Sequence, residues 1–184
     1  MNEKRIKELL KATKREGIDS LIEAMEKGGF FTAPCSGAYH LCKEGGLAEH
    51  SLNVYNILCL LNETLQAGIS DESLILCALL HDLGKMGDHN KPNYVPNILK
   101  SGKISDGKPY ETNKELTYEE HEIRSVIIAE RYIYLSEDEE TAILHHNGLY
   151  GKLDSSYGNA NYSKTKLAYL LHTADMYVSR FIEV

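Results

Sequence analysis

Ionisable side chains occupy positions where the helical pattern of this chain calls for apolar ones, and they do so on several predicted helices at once. His50 falls one turn before Val54 and close to Leu47, on the apolar side of a helix predicted over about 47–66. His81 follows Leu74, Cys77 and Ala78 at spacings of seven, four and three, so it faces inward with them. Asp82 comes next, at the end of that helix. Asp175 lies between Leu171 and Val178 on the apolar face of the last helix. A buried carboxylate without a partner is costly. Imidazoles and carboxylates facing inward from separate helices therefore suggest a shared cation. Taken singly, each has a plainer reading. A lone inward histidine is most often a satisfied core residue, an aspartate in an apolar helix can pair with a lysine, and a His-Asp dipeptide arises often by chance. The combination carries more: His50, His81-Asp82, His121, His145-His146 and Asp175 fall on five separate predicted helices.

The rest of the pattern is helical too. Residues 1–27 read as one or two short amphipathic helices with a break at Gly17. Residues 30–46 hold Pro34, Gly37, Gly45 and Gly46 and read as a loop feeding the His50 helix. Asp71 is placed as the N-cap of the helix that ends at His81, with Gly84 and Gly87 terminating it. Thr117 with Glu120 and Ser136 with Glu139 are capping-box patterns, opening helices to about Tyr132 and His146. Ser163 is placed as the cap of the final helix. Between them, residues 86–116 contain three of the four prolines and read as a long loop or short β-hairpin, a segment of the kind that often touches substrate. Residues 150–162 read as polar and irregular. The fold class expected is all-α.

At 184 residues the chain reads as one domain, with 1–27 as a helical extension and 28–184 as the core. No apolar run approaches the roughly 20 residues that span a bilayer. The start of the chain is charged throughout and lacks a signal-peptide core, so the expected location is the cytoplasm, with no membrane partner. Cys35, Cys42, Cys59 and Cys77 form no C-x-x-C pair and read as free thiols. A net charge of −7 argues against a non-specific nucleic-acid binder.

Several segments resemble the motifs of the HD superfamily of metal-dependent phosphohydrolases, in particular its small phage and bacterial members. Residues 44–51, EGGLAEHS, are similar to the first motif, and residues 78–85, ALLHDLGK, to the signature motif. His121 with Ser125, His145-His146 before Asn147-Gly148, and residues 171–175, LHTAD, are similar to the remaining ones. The resemblance runs from about Phe30 to Phe181 and implies a bundle of five core helices. It implies a core metal set of His50, His81, Asp82 and Asp175. His121 and one of His145 or His146 match the extra ligands of two-metal members, in which Asp82 bridges the ions. Two ions are favoured over one, and His145 is narrowly preferred to His146.

The implied chemistry is phosphoester hydrolysis of a nucleotide or nucleotide-derived substrate, with attack by a hydroxide on the cation. Imidazole and carboxylate ligands suit Mn, Fe, Co, Ni, Zn or Mg. Asp82, Lys85 and His121 are the expected reaction-centre residues. Lys85 is placed to neutralise phosphate charge, or alternatively to complement a helix C-terminus. His40 and His172 are candidates for substrate contact or for support of the ligands; His89 is assigned no role. Gly45 and Gly46 either receive an anion at a helix start or form a simple turn. Tyr94, Tyr110 and Tyr150 read as surface tyrosines rather than base-stacking platforms. The expected partner is a small phosphorylated molecule, with a short RNA or DNA end as an alternative; no feature signals an oligomeric state. Two other functions share the pattern: a non-catalytic nucleotide-binding module, and a di-iron oxygenase.

Overall fold

The axis of the fold is a helix with no polar face. In the computed structural model, which describes residues 1–153 and 161–183, helix α4 (Asp71–Leu80) is buried at every position from Leu74 to Leu80. A helix apolar all round needs neighbours on all sides. Four others pack on it: α1 (Asn2–Ala12), α3 (Gly46–Thr64), α6 (Glu137–Leu144) and α7 (Lys166–Tyr177). Helix α2 (Ile18–Gly28) leans on α1, and α5 (His121–Glu130) packs against α6 and the 3-10 turn Leu83–Met86 that follows α4. Seven α-helices and two small antiparallel strand pairs make up the regular structure of the described residues, so the all-α expectation holds.

The two N-terminal helices share the core of the others. Ile6, Leu10, Leu21 and Met25 are buried in the same apolar cluster as Leu58, Leu76, Leu80 and Leu171. Gly17, at φ 84°, is the break between α1 and α2. Its conformation is favourable only for glycine, and a Cβ there would lie 1.8 Å from the Tyr132 carbonyl.

The segment 86–116 is a hairpin insertion. Strands β1 (Gly87–Asp88) and β2 (Lys91–Pro92) pair antiparallel. Strands β3 (Tyr94–Pro96) and β4 (Tyr110–Thr112) pair with Tyr94 opposite Thr112 and Pro96 opposite Tyr110. Pro92 and Pro96 lie on short, two-stranded ribbons, where a missing N–H is tolerated, and Pro109 lies just before β4.

Three caps differ from the sequence reading. Ser70, not Asp71, caps α4: its Oγ accepts from the Ser73 N–H at 3.1 Å, while Asp71 lies in the first turn, where its charge suits the helix dipole. Thr117 and Glu120 form no capping box, because α5 begins only at His121 and the Thr117 carbonyl is taken by Arg124 Nη2 at 2.6 Å. Thr165, not Ser163, caps α7, accepting from the Ala168 N–H at 3.0 Å, while Ser163 ends a short 3-10 turn. The Ser136–Glu139 box is present in both directions. Much of the expected irregular stretch 150–162 lies outside the described residues. All four cysteines are free, and among the described residues no helix is long and apolar enough to cross a membrane.

Candidate metal centre

Five helices end or turn inward at one point. His50 projects from the second turn of α3, and His81-Asp82 follow the last residue of α4. His121 opens α5, His146 lies just past α6, and Asp175 is in the third turn of α7. His50, His81, Asp82 and His146 are all buried to within 1 % of full coverage.

Asp82 is the centre of the cluster. Its Oδ2 lies 3.5 Å from both His50 Nε2 and His81 Nε2. Its Oδ1 lies 3.2 Å from His121 Nε2 and 3.5 Å from His146 Nε2. Asp175 Oδ1 approaches His50 Nε2 to 3.1 Å. The two carboxylate oxygens thus face two different histidine pairs. The rings within a pair are close: His50 and His81 bring their Nε2 atoms to 3.2 Å, and His121 and His146 to 3.3 Å.

The second nitrogen of each ring bears on what these contacts could hold. His81 Nδ1 donates to the Ala78 carbonyl at 2.9 Å and His146 Nδ1 to the Ile143 carbonyl at 2.7 Å. His50 Nδ1 donates to Glu183 Oε2 at 2.9 Å, and His121 Nδ1 lies 3.1 Å from Glu122 Oε2. In a neutral imidazole, a proton on Nδ1 leaves only a lone pair on Nε2. With its rings neutral, the centre therefore gathers lone pairs on lone pairs. Asp82 Oδ1 is one of two buried side-chain oxygens without a hydrogen bond among the described residues; Glu122 Oε2 is the other. Three sets of donor atoms, Cys35–His40–His50, His50–His81–Asp175 and His81–Asp82–His146, each fall within 4.8 Å of one another, and the last two share His81 at the centre. That donor set fits a divalent cation, with neutral imidazoles oriented from behind.

Without an ion, rings and carboxylates offset one another: burial opposes charge on both rings, but Asp175 and Glu183 hold the His50 imidazole well above its usual range, and Asp82 and Asp175 raise His146. Burial alone would push the Asp82 carboxyl up, but the Lys85 ammonium and the His81, His121 and His146 imidazoles hold it well below the usual range. Burial likewise opposes ionisation of Asp175, and His50, His81 and His146 overcome it. Burial pushes His81 down, which keeps it neutral. Lys85 donates to Asp82 Oδ2 at 2.6 Å and, though its side chain is only 15 % exposed, stays charged because Asp82 faces it.

Local packing places these groups. Gly84 is buried in the turn after Asp82, and a Cβ there would sit 2.3 Å from the His121 carbonyl. Its N–H donates to Ser125 Oγ at 2.8 Å, and that hydroxyl donates to the His121 carbonyl at 2.7 Å. Gly84 is thus a close-approach residue that brings the start of α5 onto Asp82, more than a helix terminator.

The preference for His145 is corrected: the ring that reaches Asp82 and His121 is His146. His145 occupies the C-cap of α6, and His146 follows it. His40 flanks the site, its ring centroid 5.1 Å from that of His50 and its Nε2 3.4 Å from Cys35 Sγ. His172 supports the centre by donating Nδ1 to the His146 carbonyl at 2.7 Å, and its ring fills the space a Cβ on Gly148 would need. His89 stands in the β1–β2 turn beside Asp88. The Gly45-Gly46 segment is a turn: the N–H groups of Gly45, Gly46 and Leu47 donate to the carbonyls of Thr32, Lys43 and Ala33. Glu49 pairs with Lys43 at 2.8 Å.

Glu183, Glu122, Cys35 and Asn147 were not found from the sequence. Glu122 and Asn147 each have one legible signal, adjacency to His121 and to His146; Glu183 and Cys35 have none. Burial pushes the Cys35 thiol up to about 11, so it is a protonated neighbour and not a nucleophile. Asn147 Nδ2 lies 3.3 Å from His121 Nε2.

The family model described as HD domain matches residues 47–178, a span that contains all six clustered residues from His50 to Asp175. No curated protein and no solved structure matched the chain. The match covers most of the sequence, and the chain belongs to the HD superfamily of metal-dependent phosphohydrolases.

Proposed function

We propose that this protein hydrolyses a phosphoester bond of a small nucleotide or nucleotide-derived substrate at a two-cation centre, in the cytoplasm. The observation that carries this reading is the division of Asp82: Oδ2 toward His50 and His81, Oδ1 toward His121 and His146. One ion would be held by His50, His81, Asp175 and Asp82 Oδ2, the other by His121, His146 and Asp82 Oδ1. Such cations lower the pKa of bound water and polarise a phosphoryl oxygen.

The chain's own groups supply the rest. The Nδ1 hydrogen bonds of His50, His81 and His146 fix each ring's tautomer and aim Nε2 inward. Lys85 brings a fixed positive charge to the edge of the centre, where an anionic phosphoryl group needs it. Beside His121, a cavity of about 120 Å³ lies between the hairpin insertion and α5, lined in part by Asn93, Tyr94, Tyr118 and Glu120.

The test is metal content by elemental analysis of wild type and Asp82→Ala, followed by a phosphoester panel in Mn2+ and Mg2+. The expected outcome is about two equivalents of divalent metal, lost in Asp82→Ala together with hydrolysis of nucleoside monophosphates or cyclic nucleotides. Full hydrolytic activity in Asp82→Ala sinks the reading. One equivalent of metal with activity retained would replace the two-cation centre by a one-cation site.

A further inference from the structure

Just past the span matched by the family, the chain makes a second contact with His50. Helix α7 runs into a π turn, Val178–Ile182, and the residue after it is Glu183. The Glu183 side chain is only 1 % exposed, although Phe181 and Ile182 beside it face outward. Its Oε2 accepts from His50 Nδ1 at 2.9 Å, and its Oε1 accepts from Asn53 Nδ2 at 2.9 Å. His40 Nε2 lies 3.8 Å from the same Oε2. His50 is thereby gripped from both sides by one stretch of chain: Asp175 Oδ1 stands 3.1 Å from Nε2 and Glu183 Oε2 stands 2.9 Å from Nδ1.

Among the four clustered histidines, His81 and His146 donate Nδ1 to a backbone carbonyl. His50 instead donates to a buried carboxylate in a bond of good length, with a second bond from Asn53 fixing that carboxylate. A carboxylate behind an imidazole does two things that a carbonyl does less well. It locks the tautomer that presents the Nε2 lone pair, and it raises the basicity of that lone pair toward a cation.

We infer that Glu183 is a positioning residue of the metal centre, setting the orientation and donor strength of His50 and so the affinity for the ion held with His81 and Asp175. This rests on the metal-centre reading above. It also gives the π turn a purpose: it departs from α-helical register and returns a carboxylate to α3.

The probe is Co2+ alone, titrated into metal-free full-length protein against a chromophoric chelator. Wild type, Glu183→Gln and Glu183→Ala are compared. Loss of a ligand-orienting carboxylate weakens metal binding by about 10–100-fold, and that is the change expected in Glu183→Ala at the His50 ion. Glu183→Gln should recover part of it, because its amide oxygen can still accept from His50 Nδ1. The visible spectrum of bound Co2+ should shift in both variants, a signature that a merely structural role would not move. Melting of the metal-free proteins by circular dichroism shows whether each variant is folded, and Glu183→Gln carries the test if Glu183→Ala is not. Wild-type affinity with an unaltered Co2+ spectrum in the folded variants overturns the inference. Failure of the wild type to bind Co2+ overturns the metal centre itself, an outcome visible before any variant is made.

Discussion

Gly84 shows how tightly the centre is specified at the scale of single residues. A methyl group there would meet the His121 carbonyl at 2.3 Å and Ser125 N at 3.0 Å, both backbone. Backbone cannot swing aside as a long side chain can, so Gly84→Ala must push α5 away from the turn after Asp82. Overpacking of this kind costs about 1–3 kcal/mol. The expected result is a protein that folds, melts lower and binds one metal equivalent fewer, because His121 moves while His50, His81 and Asp175 stay. Unchanged metal stoichiometry by elemental analysis would count against the coupling. The inward positions of His50, His81 and Asp175 were legible in the sequence because helical spacing fixes which way a side chain points, and His81, though the C-cap of α4, keeps helical backbone angles. The choice between His145 and His146 was not, because it depends on where α6 stops: His145 sits at φ −112° in the C-cap, already off the helical path. Glu183 was invisible for a similar reason, since a π turn breaks the register that would have shown it facing inward.

At the scale of elements, one buried carboxylate ties the loop between α1 and α2 to α4 and α6. Glu139 closes the capping box of α6 and also receives Arg15, whose Nη1 and Nη2 lie 3.1 and 3.0 Å from its oxygens. Arg15 Nε reaches Glu72 at 2.6 Å, and Ser73 Oγ donates to Glu139 at 2.9 Å. Burial opposes ionisation of Glu139, but Arg15, the Ser136 N–H and Ser73 hold its pKa below the usual 4.5. A carboxyl lowered by folding stabilises the fold above its unfolded pKa and loses that contribution as pH falls through the folded value. Arg15→Ala should therefore destabilise at pH 7 by about 3 kcal/mol, the scale for orphaning a buried charge. The deficit should shrink in acid, as Glu139, no longer held low by Arg15, protonates first in the variant. Urea denaturation at pH 7 and near pH 4 measures this, and an equal deficit at both would show that the ion pair is not its source. The box itself was readable, since Ser136 and Glu139 are neighbours in sequence. The partner was not, because Arg15 is separated from Glu139 by 124 positions. The three misplaced caps are near misses: α4, α5 and α7 have their N-caps at Ser70, Glu120 and Thr165, a few residues at most from Asp71, Thr117 and Ser163.

For the whole molecule, the centre is the meeting point of α3, α4, α5, α6 and α7, joined by the turn that carries Glu183. The apolar core holds these helices together through α4, yet it converges on a cluster of carboxylates and imidazoles. An ion held there, as proposed above, would link five elements at one point. Because the unfolded chain cannot assemble those ligands, binding is a gain for the folded state alone. At a free metal concentration about 100 times Kd, that gain is about 2.7 kcal/mol. For a protein of this size each kcal/mol moves Tm by about 2–4 °C, so loaded protein should melt about 5–10 °C above protein stripped by chelator. Asp82→Ala should show no such difference, since it removes the one carboxylate that faces both histidine pairs, and Gly84→Ala should show a reduced one. Calorimetric scans of the three proteins, each stripped and then reloaded with Mn2+, compare these directly. If stripped and loaded wild type melt together, the convergence of five helices on Asp82 is a packing solution and not an ion site. If Asp82→Ala keeps the full shift, the ion is held elsewhere.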